Sequence, residues 1–247
     1  MTGKQVRLAR LFGRDERSVV VALDHAQFKG ALHGLTPLCP MVEQAVDGGA
    51  DGVILNPGVL ETCASTVGGR CALVVRVTGA STDRNPAFDF HRTICSVSHA
   101  ASLGADAVIA MGFVGGPGEA KSLAQLAELA EQCRKWGIPL IAEMLPADPE
   151  HFSDPEWIAL GARAGAELGA DVIKAYTTGT DADRQAIEGC GVPFLAAGGP
   201  SLHDALQIAG AAMKNGASGV AFGRNVFEAP QPTATVQNLV AVVHGVG

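Results

Sequence analysis

The chain has little charge, few aromatic side chains and no long apolar run. Charged residues make up 17% of its 247 residues and aromatic residues 5%, with a single tyrosine, Tyr176. No apolar run is long enough to span a bilayer, and the first 17 residues are too polar for a signal peptide. The net charge is -7 and no basic cluster exceeds two residues, which argues against a nucleic-acid surface. We therefore expect a soluble, cytoplasmic protein with a small-molecule partner, and neither nucleic acid nor membrane.

Motifs that hold metals or redox disulfides are missing as well. The six cysteines contain no C-x-x-C pair, so we expect reduced and mostly buried thiols. The histidines contain no H-x-H or H-E-x-x-H spacing, and we predict no metal site. We also predict that the protein needs no organic cofactor.

Glycine, in contrast, is abundant at 31 residues and marks a repeated motif. The motif is Gly-Ala followed by Asp or Ser, and each copy ends a helical stretch and opens an apolar strand. Glycine accepts the positive φ that the end of a helix requires. The four copies are Gly49–Val53, Gly104–Val108, Gly169–Ile173 and Gly216–Val220.

Eight apolar strands alternate with segments long enough for a helix each. The predicted strands are Ser18–Leu23, Gly52–Leu55, Ala72–Val77, Ala107–Met111, Leu140–Met144, Val172–Tyr176, Phe194–Ala197 and Gly219–Phe222. Eight βα units predict an α/β fold, a single (β/α)8 TIM barrel over residues 1–247, with 1–17 as a candidate helix at the barrel floor. An open, doubly wound sheet is the alternative. It would need a glycine-rich turn after the first strand, where Asp24-His25 stand instead.

Lys174 lies inside the apolar strand Asp171–Tyr176. Both faces of a parallel strand are usually covered, so this side chain must be buried or stand at the barrel mouth. Burial disfavours an ammonium ion, and a neutral amine attacks a carbonyl carbon to form a Schiff base. The alternative is a lysine whose stem is buried while its amine reaches water or pairs with an acid. The strand by itself favours neither.

Other polar residues stand where TIM-barrel active sites lie, at the carboxyl ends of the strands. Asp24 and His25 end the first strand and are candidates for proton transfer, although Asp24 could instead cap a helix. Glu143 is either an acid/base group or an ion-pair partner of Arg76 or Lys174. Period-2 alternation places Tyr176 on the same face as Lys174. The catalytic candidates are therefore Lys174, Asp24, His25, Glu143 and Tyr176.

Glycines and an arginine follow the last two strands, where TIM barrels bind phosphate. Backbone N–H groups of glycines approach the oxygens closely and an arginine adds a charged fork. The alternative is a tight turn beside a surface arginine. We predict a phosphate bound by Gly198, Gly199, Gly223 and Arg224, with Arg76 as a further ligand. Asn56–Gly58 and Gly115–Gly118 are expected to be loops at the mouth.

Four segments together resemble the archaeal-type class I fructose-bisphosphate aldolases. They are Val21–His25, Ala170–Gly179, Ala197–Pro200 and Ala221–Phe227. That group also contains aminodideoxy-heptulosonate synthases and an autoinducer-2 phosphate thiolase. The resemblance covers nearly the whole chain. It implies that Lys174 forms the Schiff base, that Asp24 assists proton transfer, and that the glycines and Arg224 hold a sugar phosphate. Family habit and the apolar helix over 123–130 also favour a homo-oligomer.

Leu145 departs from the family pattern, which usually has a tyrosine just before the proline after the fifth strand. A leucine moves no proton, so the role passes to Glu143, Tyr176, Asp24, His25 or water. We predict a class I aldolase that cleaves or forms a carbon–carbon bond in a phosphorylated ketose. The alternatives are a thiolase- or transaldolase-like transfer by the same lysine, a sugar-phosphate isomerase or synthase without an imine, and a non-catalytic barrel that binds a sugar phosphate.

Overall fold

The computed structural model describes residues 2–85, 89–198 and 205–245 and contains a closed barrel of eight parallel strands. The barrel strands are β1 (Ser18–Ala22), β2 (Gly52–Leu55), β3 (Ala72–Arg76), β6 (Ala107–Val114), β7 (Leu140–Pro146), β8 (Val172–Ala175), β9 (Phe194–Ala197) and β10 (Gly219–Phe222). Each strand pairs with its neighbour in the chain, and β10 pairs with β1 to close the ring. A short hairpin, β4 (Thr78–Gly79) and β5 (Arg92–Thr93), follows β3. The predicted TIM barrel is confirmed.

Helices surround the barrel. They are α1 (Thr2–Phe12), α2 (Ala26–Lys29), α3 (Leu38–Asp47), α4 (Pro57–Val67), α5 (Val97–Ser102), α6 (Glu119–Trp136), α7 (Pro155–Glu167), α8 (Asp183–Cys190), α9 (Ala205–Lys214), α10 (Arg224–Phe227) and α11 (Pro232–His244), with a 3₁₀ turn at Pro149–His151. Within the described residues, no helix is long and apolar enough to cross a membrane.

The barrel interior is apolar in its lower half. Alternate residues of each strand point inward and pack together, among them Val20, Ile54, Ile109 and Val172. Leu11 and Phe12 of α1 belong to the same cluster, so the end of α1 covers the amino-terminal end of the strands. On β3, β7 and β8, and just after β1, the next inward position is charged (Arg76, Glu143, Lys174 and Asp24), which places the candidate site above this apolar floor.

The repeated glycine motif does two things. Gly49, Gly104, Gly169 and Gly216 all have positive φ, between 86° and 102°, as the sequence predicts. The Asp that follows also accepts a hydrogen bond from the backbone of a neighbouring strand, a role that the sequence did not reveal. The bonds are Val19 N–H to Asp51 at 2.7 Å, Leu73 N–H to Asp106 at 3.1 Å and Leu140 N–H to Asp171 at 2.9 Å.

Several local predictions differ from the structure. All eight strands are present, but β6 runs on to Val114 and β7 to Pro146. The prediction of a loop at Asn56–Gly58 is wrong, because α4 begins at Pro57. Proline is favoured at the first position of a helix, where the missing N–H would have had no partner within the helix. Leu126, Leu129 and Ala130 of α6 are buried in the core, so these three residues lend no support to the predicted oligomer.

The prediction of six reduced cysteines is also wrong. Cys39 of α3 and Cys63 of α4 form a disulfide, with Cα atoms 5.3 Å apart. The two residues are 24 positions apart, and only the packing of α3 against α4 brings them together. Cys71, Cys95, Cys133 and Cys190 are free thiols, and all but Cys71 are buried.

Candidate active site

Four charged side chains form a continuous buried chain across the top of the barrel. Lys174 of β8 is 4% exposed, and its Nζ donates to Glu143 Oε1. Glu143 lies directly beside it, because the two are register partners on β7 and β8. Arg76 of β3 donates through Nη2 to the other oxygen of Glu143, and through Nε to Asp24 Oδ2 at 2.6 Å. Two cations and two carboxylates therefore balance each other.

The cations keep both carboxylates ionised. Burial alone would raise the pKa of the Glu143 carboxyl, but Lys174 and Arg76 outweigh burial and hold this pKa well below its usual range. Burial opposes ionisation of Asp24 too, yet Arg76, His25 and Lys174 lower its pKa. Near neutral pH Glu143 is therefore an ionised carboxylate in direct contact with the Lys174 amine.

His25 stands beside the charged chain as a neutral base. Burial lowers its pKa, and Asp24, with Oδ1 3.5 Å from His25 Nδ1, opposes that shift only in part. The ring packs edge-on against Phe227, with the ring centroids 5.2 Å apart. A Cβ atom on Gly223 would overlap this imidazole, so the glycine after β10 is needed for His25 to occupy its place.

Tyr176 and Leu145 close the other side of the site. Burial, and after it the charge of Glu143, raises the pKa of the Tyr176 hydroxyl to about 12, so near neutral pH the group stays protonated and is able to donate a hydrogen bond. Its ring lies 5.0 Å from that of Phe152. Leu145 is 5% exposed and packs with Met111 and Phe113, in the place where a tyrosine was expected from the family pattern.

Two chambers meet at Glu143, and Lys174 lines the smaller of them. The small chamber holds about 50 Å³ and is lined by Ala22, His25, Glu143, Lys174, Tyr176, Ala197, Gly198, Ala221, Gly223, Arg224 and Asn225. The large chamber holds about 380 Å³ and is lined by His25, Phe28, Lys29, Asp83, Met111, Glu143, Leu145, Pro149, Phe152, Tyr176 and Arg224. They share His25, Glu143, Tyr176 and Arg224, so a ligand that spans both would pass over the amine.

Most of the predicted site residues that the structure describes meet at these chambers, but Asp24 and Arg76 do not. Asp24 lies behind His25 and lines neither chamber. Its side chain turns inward to Arg76, so it caps no helix; His25 holds the position before α2. Arg76 is 3% exposed and bonded to two carboxylates, a position that lends no support to its predicted phosphate role. Gly199 lies outside the described residues.

Several residues that shape the site were not among the predicted site residues. Asn56 donates through Nδ2 to the Asp24 carbonyl at 2.8 Å and holds the end of β1. Asp183 accepts bonds from Thr178 N–H, Thr178 Oγ1 and Gly179 N–H at 2.7–2.9 Å, which anchors the loop after β8. Asn225 follows Arg224 and lines the small chamber. Asn56 could have been selected because it follows a strand end. Asn225 could have been selected because it is next to Arg224 in the sequence.

Comparison with known proteins agrees with this geometry. The DeoC/LacD family of aldolases matches residues 18–229. A 2-amino-4,5-dihydroxy-6-oxo-7-(phosphonooxy)heptanoate synthase from Streptomyces griseus is 34% identical over 99% of this chain and 91% of its own length. A 3-hydroxy-5-phosphonooxypentane-2,4-dione thiolase from Yersinia pseudotuberculosis is 32% identical over 98% of this chain and 82% of its own length.

A solved structure is similar over nearly the whole of this chain. It is an archaeal fructose-1,6-bisphosphate aldolase whose catalytic lysine is covalently bound to the carbinolamine intermediate of the substrate. It superposes with a TM-score of 0.87 at 28% identity, covering 98% of this chain and all of its own. The family resemblance found in the sequence is confirmed, and the chain belongs to the DeoC/LacD family of aldolases.

Proposed function

We propose that the protein is a class I aldolase that acts on a phosphorylated ketose through a Schiff base at Lys174. The observation that carries the proposal is the position of the Lys174 amine. It is buried in the barrel, touches the carboxylate of Glu143 and opens onto a chamber that leads to Gly223 and Arg224. An amine that served only structure would need no chamber beside it.

The proposed reaction begins when Lys174 transfers a proton to Glu143 and its lone pair attacks the ketone carbon. Glu143 returns the proton to the carbinolamine hydroxyl, which leaves as water and creates an iminium ion. The iminium is a cation at the position of the former ammonium, so the Glu143 carboxylate stabilises it as well. Arg76 holds that carboxylate in place from behind.

Carbon–carbon cleavage follows when a base removes the proton from the hydroxyl on the carbon β to the iminium. The bond between the α and β carbons breaks, its electron pair moves into an enamine, and an aldehyde leaves. Protonation of the enamine carbon and hydrolysis of the imine release the second product and restore Lys174. We assign the base to His25, which is neutral and lines both chambers. Tyr176, which keeps its proton, donates a hydrogen bond to the developing aldehyde oxygen.

Arg224, Gly223 and Gly198 are the proposed phosphate ligands. All three line the small chamber, and Gly198 and Gly223 have no room for a Cβ because Asn225 and His25 lie against them. Fixing the phosphate orients the ketone toward Lys174 and lowers the barrier by positioning. No step in this scheme uses a metal or an organic cofactor.

Borohydride trapping tests the proposal. Incubation with dihydroxyacetone phosphate and borohydride is expected to add one reduced adduct, located on Lys174 by peptide mapping. Lys174→Met should abolish the adduct, while Lys214→Met, which changes an exposed lysine, should leave it unchanged. Absence of an adduct with every phosphorylated ketone tried would favour the isomerase or the binding-only alternative and would overturn the aldolase assignment.

A transfer reaction by the same lysine is the second candidate. Its support is that the two relatives at 34% and 32% identity are a synthase and a thiolase, and that Leu145 departs from the aldolase pattern. Formation of the imine is common to both candidates, and product analysis with an added acyl or aldehyde acceptor separates them.

A cytoplasmic location and a homo-oligomer are also proposals. The disulfide between Cys39 and Cys63 argues against the first of them, because disulfides persist in less reducing compartments.

A further inference from the structure

The rim of the barrel above Lys174 is divided into two unlike halves. On the side of β9, β10 and β1 the inward residues are small: Ala22, Ala197, Ala221 and Gly223. On the side of β6, β7 and β8 they are large, with Met111, Phe113, Leu145 and Tyr176 in contact with Phe152. The Lys174 amine therefore stands between two unlike spaces. The small chamber has small side chains together with the polar Arg224 and Asn225, and the large chamber has an apolar wall.

The charges in the large chamber offer a second phosphate little net attraction. Lys29 reaches its rim, but Lys29 Nζ lies 3.6 Å from Asp83 Oδ2, and Asp83 lines the same chamber. Glu143 adds a second carboxylate to the lining. Arg224 stands at the boundary, where it lines both chambers. Asp83 is paired with Lys29, and the charge of Glu143 is balanced by Lys174 and Arg76, so apart from the shared Arg224 the described lining of the large chamber has no net positive charge for a second phosphate.

We propose, on the basis of the proposed function, that the substrate carries a single phosphate, which is held in the small chamber. The part of the substrate that occupies the large chamber is uncharged and mainly apolar. The apolar wall then contributes selectivity, because each methylene buried against it improves the efficiency about fourfold. Leu145, Met111 and Phe152 are the specificity-determining residues in this assignment. The reacting carbon lies between the halves, within reach of Lys174.

The test compares acceptors in the bond-forming direction, with dihydroxyacetone phosphate as donor. The kcat/KM for butanal is expected to exceed that for glyceraldehyde 3-phosphate at least tenfold. Leu145→Asn should lower kcat/KM for butanal about tenfold, mainly through KM, because it places an amide in the apolar wall. Leu160→Asn changes a leucine that is 58% exposed on α7 and should leave both values unchanged.

Phe152→Ser serves as a second probe, since Phe152 lies in a loop turn and not in a barrel strand. A tenfold preference for glyceraldehyde 3-phosphate, or full butanal activity in both wall variants, would overturn the inference. The trapping experiment separates this outcome from failure of the aldolase assignment. An adduct on Lys174 with the wrong acceptor preference rejects only the apolar fragment, whereas no adduct rejects both.

Discussion

At the scale of single residues, the charged chain from Lys174 to Asp24 sets the chemistry and carries a stability risk. Each ion loses its hydration on burial, and mutual attraction offsets that cost only while every partner is present. Arg76 is the member that touches both carboxylates. Arg76 therefore holds Glu143 and Asp24 in place and keeps both carboxylates charged.

Arg76→Met should destabilise the protein by about 3–5 kcal/mol at pH 7, because it leaves a buried carboxylate without its cation. Urea unfolding measures this loss. Arg10→Met is the control, since Arg10 pairs with Asp106 through a side chain that is 61% exposed, and it should cost at most about 1 kcal/mol.

The penalty of Arg76→Met should also depend on pH. The lowered pKa values of Glu143 and Asp24 give the wild type stability that is present above about pH 4 and is lost as pH falls through the folded-state values. The Arg76→Met variant lacks part of that contribution. The unfolding free energies of the variant and the wild type should therefore approach each other as the pH falls. A constant difference down to pH 3 would show that the carboxylates are not the partners that matter.

Strand-end position was enough to select the individual residues, but not their pairing. Lys174, Glu143 and Tyr176 were predicted from alternation within strands, and the structure places all three at the chambers. The contact of Glu143 with both Lys174 and Arg76 depends on the register of β7 against β8 and on the curvature that brings β3 across the barrel. Neither can be obtained from one sequence, which left Glu143 as either an acid/base group or an ion-pair partner of Arg76 or Lys174, and which also predicted Arg76 as a phosphate ligand.

At the scale of elements, the Gly-Ala-Asp motif connects each helix end to the sheet. Its glycine ends the helix in a left-handed turn, and its Asp accepts an N–H from the adjacent strand. The glycine role follows from local sequence, because helix ends favour positive φ. The Asp role could not be predicted, since its partner is on another βα unit. The start of α4 was missed for a local reason: Pro57-Gly58 has the composition of a turn.

Asp171→Ala should cost about 1–3 kcal/mol, because it leaves the Leu140 N–H without its acceptor. It also removes the pair with Lys4, whose Nζ lies 2.8 Å from Asp171 Oδ2. Ser218 holds the equivalent place in the fourth copy, and Ser218→Ala should change the unfolding free energy by less than about 0.5 kcal/mol. Thermal and chemical unfolding measure both. Equal losses in the two variants would mean that the carboxylate has no special part in holding the strands.

At the scale of the whole molecule, the two ends of the described chain meet under the barrel. Lys4 and Arg10 of α1 pair with the Asp of two motif copies. His244, the last residue of α11, pairs with the third, Asp51, at 2.9 Å and also contacts Asp15 in the turn after α1. Ion pairs and hydrogen bonds therefore attach α1 and α11 to the same end of the barrel, the end where the strands begin.

His244→Gln should weaken the protein more at pH 6 than at pH 9. Burial lowers the pKa of His244, but its hydrogen bonds to Asp15 and Asp51 outweigh burial, so the folded-state pKa is raised. Its stabilisation is complete below the unfolded-state value and is lost as pH rises through the folded-state value. Urea unfolding at the two pH values measures the difference, with His33→Gln, at an exposed position, as control. An equal loss at both pH values would contradict an ionic role.

The direct register of Glu143 against Lys174 has one more consequence. Backbone hydrogen bonds between two neighbouring strands hold Lys174 and Glu143, the proposed nucleophile and its partner, whereas Phe152, Lys29 and Asp83 come from segments outside the barrel strands. Only part of the proposed selectivity is therefore separable from the chemistry, because Leu145 and Met111 lie on the barrel strands β7 and β6. Replacing the connecting segments while keeping the barrel strands unchanged should alter which molecules react, whereas the proposed imine chemistry should persist. The barrel is therefore a suitable starting point for engineering new carbon–carbon couplings.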